Sequence, residues 1–166
     1  NNSENIIYVS CGANDNLMPA DTNHVNIEKG DIVSATLETP IETTKQLFSQ
    51  AKKIGAKTVL NAAPVILDAK ELFPLVDYLI VNETELSFFS QSEIPTTRKK
   101  VVEAMKKLQK NANNIIATLG NKGAIALIGE EIITTRGHEV KAIDTTAAGD
   151  CFVGAFVVSL QNDKII

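Results

Sequence analysis

The sequence lacks the features that mark secreted, disulfide-rich and membrane-spanning proteins. Its 166 residues contain only two cysteines, Cys11 and Cys151, with no metal-ligand spacing around them, which argues against a disulfide framework and suits a reducing compartment. The apolar runs are too short to span a bilayer, and the first four residues do not resemble a signal peptide. We therefore expect a cytoplasmic protein with no membrane partner.

Strong positive charge and abundant histidine are also missing. The net charge is -4 with a pI near 5.2, which gives no electrostatic reason to bind nucleic acid. The one lysine-rich stretch has no interleaved aromatic residues and is predicted to be a solvated helix face; it contains Lys99, Lys100, Lys106, Lys107 and Lys110. The two histidines, His24 and His138, match no catalytic pattern, and we expect surface or packing roles for them.

Apolar runs alternate with helical patterns along the whole chain, and no repeat or linker interrupts them. This order favours a single α/β domain over residues 1–166, with a mostly parallel sheet covered by helices. Strands are predicted at 6–9, 32–37, 57–60, 78–81, 115–119, 123–128, 132–135 and 140–143. Helices are predicted at 40–54, 83–89, 97–110 and after residue 150, with a short turn or helix at 72–76.

The most informative segment is the run Asp-Thr-Thr-Ala-Ala-Gly-Asp at 144–150, between the last predicted strand and the last helix. Small residues at such a turn leave backbone N–H groups unpaired, and these groups bind an anion together with the helix dipole. Asp150 would be unfavourable in a simple anion site, but it suits a base that removes a proton from an attacking hydroxyl. An ordinary capped helix start remains open, because Asp and Thr are common N-cap residues.

This run resembles the signature of the ribokinase-like, phosphofructokinase-B-type carbohydrate kinases, which usually has Gly in place of Ala147. Five further motifs occur in the family's order: Gly-Ala-Asn at 12–14, Leu-Glu-Thr-Pro at 37–40, Asn-Ala-Ala-Pro at 61–64, Asn-Glu-Thr-Glu at 82–85 and Thr-Leu-Gly-Asn-Lys-Gly at 118–123. Their joint occurrence is far more specific than any one of them. The resemblance implies a three-layer α/β/α fold around a mostly parallel sheet, incomplete at both ends here.

The resemblance also implies a reaction and its catalytic residues. The family transfers phosphate from ATP to a small sugar, and ribose at its 5-hydroxyl, giving D-ribose 5-phosphate, is the substrate we expect. Asp150 matches the catalytic base, which also contacts the sugar, and the backbone of Ala147, Ala148 and Gly149 matches the anion hole. The sugar and ATP are then the expected partners, with Mg²⁺ and K⁺ as cofactors.

Two motifs match the family's nucleotide site. Asn82 and Glu85 match a pair near the magnesium ion and the phosphates, with Glu85 acting through water because Mg²⁺ keeps several waters. A helix N-cap is the alternative for Asn82. Thr118, Gly120 and Gly123 match the nucleotide-binding loop, for which a tight turn between strands is the alternative.

Two more matches concern the sugar and the monovalent cation. Glu38 matches a sugar-contacting position, although capping of the next helix through Thr39 or Glu42 remains open. Asp144 and Thr146 match ligands of the activating monovalent cation. The family's other ligands for this ion would follow residue 166, so we expect the cation site to be incomplete here.

The matched part begins inside the family's sugar-binding half and ends in the first helix after Asp150. We expect the paired glycines and lid strands, through which such enzymes form homodimers, and the carboxy-terminal helices to lie outside this sequence. The isolated chain is predicted to be inactive and to bind nucleotide weakly. Kinases of fructose, ketohexose or adenosine and a non-catalytic nucleotide-binding remnant remain open alternatives.

Overall fold

A computed structural model describes residues 11–162, in which six strands form a single sheet in chain order. The first four strands are parallel, whereas β5 and β6 form an antiparallel extension beside β4. The strands are β1 (Ile32–Ala35), β2 (Lys57–Asn61), β3 (Tyr78–Asn82), β4 (Asn114–Thr118), β5 (Ala124–Ile128) and β6 (Glu131–Thr135). The mostly parallel sheet is thus confirmed, and the strand predicted at 6–9 lies outside the described residues.

Within residues 11–162, four α-helices accompany the sheet, together with shorter 3₁₀ segments. Their limits follow local signals: Pro40 precedes α1, Gly55 ends it in a left-handed conformation at φ 85°, and the Thr97 hydroxyl caps α3. The helices are α1 (Ile41–Ile54), α2 (Glu83–Ser90), α3 (Arg98–Leu108) and α4 (Ala148–Gln161). The 3₁₀ segments are Gly12–Asn16, Pro19–His24, Leu67–Leu75 and Gly120–Lys122.

The helices cover the two faces of the sheet unequally. On one face, α1, α2, α3 and the 3₁₀ segment Leu67–Leu75 enclose the main core; its fully buried side chains include Phe48, Phe73, Leu79, Met105 and Ile115. On the other face, α4 packs on β2, β3 and β4 through Leu160 and Phe156. The Phe156 ring meets that of Tyr78 edge-on at 5.5 Å. The result is the three-layer α/β/α arrangement that was expected.

The strand predicted at 140–143 is wrong. Residues 136–147 form an irregular segment, in which Val140 is 78% exposed and Ile143 is 96% exposed. An alternating apolar pattern becomes a strand only where a neighbouring strand completes its hydrogen bonds, and in the described part of the chain β6 pairs with β5 alone. A smaller difference occurs at β1, which ends before Leu37 because the Leu37 amide donates to the Ala63 carbonyl at 2.8 Å.

Candidate functional site

Three of the matched motifs meet at the carboxyl edge of the parallel strands. Asn61, Asn82 and Thr118 end β2, β3 and β4, and Asn82 lies directly opposite Thr118 in the β3–β4 register. Ligands of open α/β sheets bind in the crevice beyond this edge. Asp144 was expected at such a strand end, but it follows the irregular segment instead.

The start of α4 has free backbone donors. Its N-cap residue is Ala147, and no side chain caps the helix, so the capped-start alternative is wrong. The amides of Gly149 and Asp150 have no hydrogen-bond acceptor among residues 11–162, whereas the Ala148 amide donates to the Thr145 carbonyl at 3.2 Å. Two adjacent donors at the positive end of a 14-residue helix can hold an anion.

Ala147 takes the left-handed conformation in which the family usually has Gly. Its φ of 59° is uncommon for a residue with a side chain and costs about 1 kcal/mol relative to glycine. Ala147 therefore occupies this turn at a modest energetic cost. A left-handed residue beside helical ones is a backbone arrangement that commonly lets neighbouring amides bind one anion.

A cavity of about 710 Å³ lies in front of these donors. Ala148 and Gly149 belong to its wall, and Asp150 follows them as an exposed side chain in the first turn of α4. The remaining wall is formed by Gly120, Asn121, Gly137, His138, Glu139, Val140, Ala142, Thr145 and Phe152. His138 thus lines the candidate site, although no sequence pattern pointed to it, whereas His24 is exposed at the end of a 3₁₀ segment.

Asn82 and Glu85 bind each other in a closed capping box. The Asn82 side-chain oxygen accepts from the Glu85 amide at 2.9 Å, and the Glu85 carboxylate accepts from the Asn82 amide at 2.8 Å and from Asn82 Nδ2 at 2.7 Å. The N-cap alternative for Asn82 is therefore confirmed as a structural role. Burial raises the pKa of Glu85, while the hydrogen bond from the Asn82 amide lowers it.

The hydrogen bonds of this capping box limit how Glu85 could bind a magnesium ion. Both carboxylate oxygens of Glu85 already accept a hydrogen bond, and the residue is only 5% exposed. Direct metal coordination would have to compete with those bonds, whereas a metal-bound water could donate to a remaining lone pair. The described residues contain no cluster of three or more His, Cys, Asp or Glu side chains that could hold a metal ion.

The loop after β4 is a tight turn that also lines the cavity. The Leu119 amide donates to the Gly123 carbonyl at 2.8 Å, and Gly120 and Gly123 adopt positive φ values of 55° and 98°. The motif at 118–123 therefore forms the tight turn that was the alternative to a nucleotide-binding loop. The turn exposes its backbone toward the cavity through Gly120 and Asn121, while the Thr118 hydroxyl donates to the Val81 carbonyl over 3.4 Å.

Glu38 lies beyond the end of β1 and is exposed. The alternative that its neighbours cap α1 is wrong, because Pro40 occupies the cap position, the Thr39 hydroxyl pairs with that of Thr44 and Glu42 pairs with Lys45. The charge of Asp15 first, and that of Glu38 to a smaller degree, raise the pKa of Cys11.

Asp144 and Thr146 form a local turn just before α4. Asp144 Oδ1 accepts from the Thr146 amide at 2.8 Å, and this bond is the main reason that the pKa of Asp144 is lowered. The carboxylate is exposed and stays ionised at neutral pH. An ionised oxygen ligand of this kind fits a hard monovalent cation.

Comparison with known proteins agrees with this geometry. Residues 1–165 match the pfkB family of carbohydrate kinases. The chain is 36% identical to the ribokinase of Haemophilus influenzae, over 98% of this chain and 54% of that protein, and 32% identical to the deoxyribokinase of Salmonella typhi, over 93% and 52%. It superimposes on Arabidopsis thaliana ribokinase complexed with ribose and ATP with a TM-score of 0.73 and 31% identity, over 81% of this chain and 44% of that one.

The α/β sheet and these matches define the class of protein to which the chain belongs, a family of carbohydrate kinases. Within that class, the chain belongs to the pfkB family, and its relatives here are ribokinases and a deoxyribokinase. It spans about half the length of the curated relatives that it matches. No helix of the described part is both long and apolar enough to cross a membrane.

Proposed function

We propose that the protein transfers the γ-phosphate of ATP to a primary hydroxyl of a small sugar, and that the sugar is D-ribose. The observation that carries the reaction is the start of α4, where Gly149 brings a free amide to a large cavity and the exposed Asp150 follows in the same turn. The 36% identity to a ribokinase supports ribose. The 32% identity to a deoxyribokinase makes 2-deoxyribose the second candidate.

The proposal assigns each step to a group at the start of α4. Asp150 accepts the proton of the sugar hydroxyl, the oxygen forms a bond to the γ-phosphorus, and the bond to the ADP oxygen breaks. The charge on the transferred group is stabilised by the amides of Gly149 and Asp150. Because the transition state of phosphoryl transfer is loose, positioning and charge stabilisation supply most of the catalysis.

The other matched residues hold the substrates and cofactors in this proposal. The exit of β4 and its turn bind the nucleotide through Thr118, Gly120 and Gly123, and Glu38 contacts the sugar. Asn82 and Glu85 would hold a magnesium ion through one of its waters, and the ion would supply positive charge against the phosphates. Asp144 and Thr146 supply oxygen ligands to potassium beside the anion site, and the lowered pKa of Asp144 supports this role.

The test is Asp150→Asn in the complete gene product, with ribose and 2-deoxyribose as substrates. Loss of a general base costs about 100-fold to 10,000-fold, so kcat should fall by at least that lower figure while the KM for ATP stays nearly unchanged. Asp68→Asn is the matched control, because Asp68 is also exposed in the first turn of a helical segment and lies far along the chain from α4. Unchanged turnover of Asp150→Asn would exclude Asp150 as the base, whereas absence of turnover in the unmodified gene product would favour a nucleotide-binding role without catalysis.

A further inference from the structure

Two glycines bring the loop after β4 against the chain leaving β6. A Cβ added to Gly137 would overlap the Asn121 carbonyl oxygen and lie 2.9 Å from its carbonyl carbon. A Cβ added to Gly123 would overlap the Thr135 carbonyl oxygen and lie 2.6 Å from the Gly137 amide nitrogen. Real Cβ atoms essentially never come closer than 3.0 Å, so neither position has room for a side chain.

The two glycines are required for different reasons. Gly123 has a φ of 98°, a conformation that residues with a side chain rarely adopt, so its backbone alone requires glycine. Gly137 has no such positive φ, and only the neighbouring backbone excludes a side chain there. Replacing Gly137 by alanine therefore changes the spacing between the two segments without straining the substituted residue itself.

This backbone contact forms part of the wall of the candidate nucleotide site. Asn121 and Gly137 both line the cavity of about 710 Å³ in front of α4. They also line a second cavity of about 420 Å³ on the α3 side, so the contact separates the two spaces. The position of the loop relative to the amides of α4 thus depends on how closely Gly137 approaches Asn121.

We propose that Gly137 is a positioning residue for the nucleotide, acting through the loop that it holds in place. The inference rests on the proposed function, since it takes the 710 Å³ cavity to be the nucleotide site. A methyl group at Gly137 must move the loop by about an ångström, because the added Cβ would overlap the Asn121 carbonyl oxygen and ordinary contact begins at 3.4 Å. The loop and α4 face the cavity together, so this shift changes the fit of ATP and leaves the sugar contacts in place.

The first test is Gly137→Ala in the complete gene product, compared with Gly154→Ala. Gly154 is the matched control, because it receives the same methyl group in α4 with no atom within 4 Å and no positive φ. We expect Gly137→Ala to raise the KM for ATP about tenfold while the KM for ribose stays within twofold. A purely structural role would reduce the active fraction, and hence the apparent kcat, with both KM values unchanged; that result would overturn the inference.

A second measurement needs no variant and so does not depend on whether Gly137→Ala folds. Glycine-selective ¹⁵N labelling of the unmodified protein reports on Gly149 at the anion site, on Gly123 and Gly137 in the wall, and on Gly154 as control. On titration with Mg²⁺ and ADP, the signals of Gly149, Gly123 and Gly137 should shift together while that of Gly154 stays. Shifts at Gly149 alone would overturn this inference and leave the proposed function standing. No shift at any of these glycines would remove the nucleotide site itself.

Discussion

Asn82→Ala should destabilise the fold more than the loss of an ordinary helix cap. The substitution removes the side-chain acceptor for the Glu85 amide and the Nδ2 donor to the Glu85 carboxylate. Because Glu85 is 5% exposed, its carboxylate cannot replace that donor freely with bulk water. Two separate costs therefore arise from one truncation.

The expected magnitude follows from these two contacts. Loss of an N-cap costs about 1 kcal/mol. A buried acceptor left without its donor costs about 1 to 3 kcal/mol more, since the group keeps its desolvation penalty. The free energy of unfolding should thus fall by about 2 to 4 kcal/mol, measured by equilibrium urea unfolding of the complete gene product.

Thr97→Ala is the control for capping alone. Thr97 caps α3 through an exposed 3.3 Å bond from the Lys100 amide, with no buried carboxylate attached. Its loss should cost about 0.5 kcal/mol, the lower end of the range for caps. Equal costs for Asn82→Ala and Thr97→Ala would refute the reasoning, because the buried carboxylate would then contribute nothing.

The pH dependence of the same variant gives an independent check. Burial raises the pKa of Glu85 in the folded state, so between the ordinary and the raised value the folded protein binds more protons than the unfolded chain. The contribution of Glu85 to stability therefore falls as pH rises through that window. Loss of the Asn82 Nδ2 donor raises this pKa further. The decrease in unfolding free energy caused by Asn82→Ala should therefore be smaller at pH 4.5 than at pH 7. A decrease in unfolding free energy that is the same at both pH values would contradict the role assigned to the Glu85 carboxylate.

Two further substitutions test other parts of the structure. Asp77→Ala should lower the free energy of unfolding by about 2 kcal/mol, because the fully buried Thr58 loses the acceptor of its amide at 2.9 Å. Lys52→Ala is the control, because it removes only the surface ion-pair partner of Asp77. Equal losses of thermal stability in the two variants would show that the hydrogen bond from the Thr58 amide is unimportant. Asp144→Ala should abolish the difference in kcat between potassium and tetramethylammonium buffers, and a persisting difference would exclude Asp144 as a cation ligand. Because Asp144→Ala also removes the acceptor of the Thr146 amide, Asp144→Asn, which keeps a side-chain oxygen but not the charge, is the control.

The features that sequence patterns predicted well are those with local causes. The end of α1 follows from Gly55, the start of α2 from the Asn82 and Glu85 spacing, and the β5–β6 hairpin from the turn at Gly129. Each depends on hydrogen bonds or conformations within a few residues of the chain. The motif order along the chain predicted the family in the same way, since a motif is itself a local pattern.

The strand predicted at 140–143 shows where local reasoning stops. The segment 140–143 is a short, mostly apolar run, but a strand requires a partner, and in the described chain none is beside it. For the same reason, sequence patterns did not predict that His138 and Gly137 line the candidate site. Nothing in their own neighbourhoods sets them apart from a surface histidine and a turn glycine.

The sequence by itself determined the class of fold, the limits of most helices and strands, and the acidic residue at the start of α4. Only the tertiary structure decided which backbone groups of that turn stay free, that Glu85 is buried, and that Gly137 meets Asn121 across the wall of a cavity. The physical reason is that burial and close approach depend on segments far apart in the chain. Their consequences cannot be read from any one segment alone.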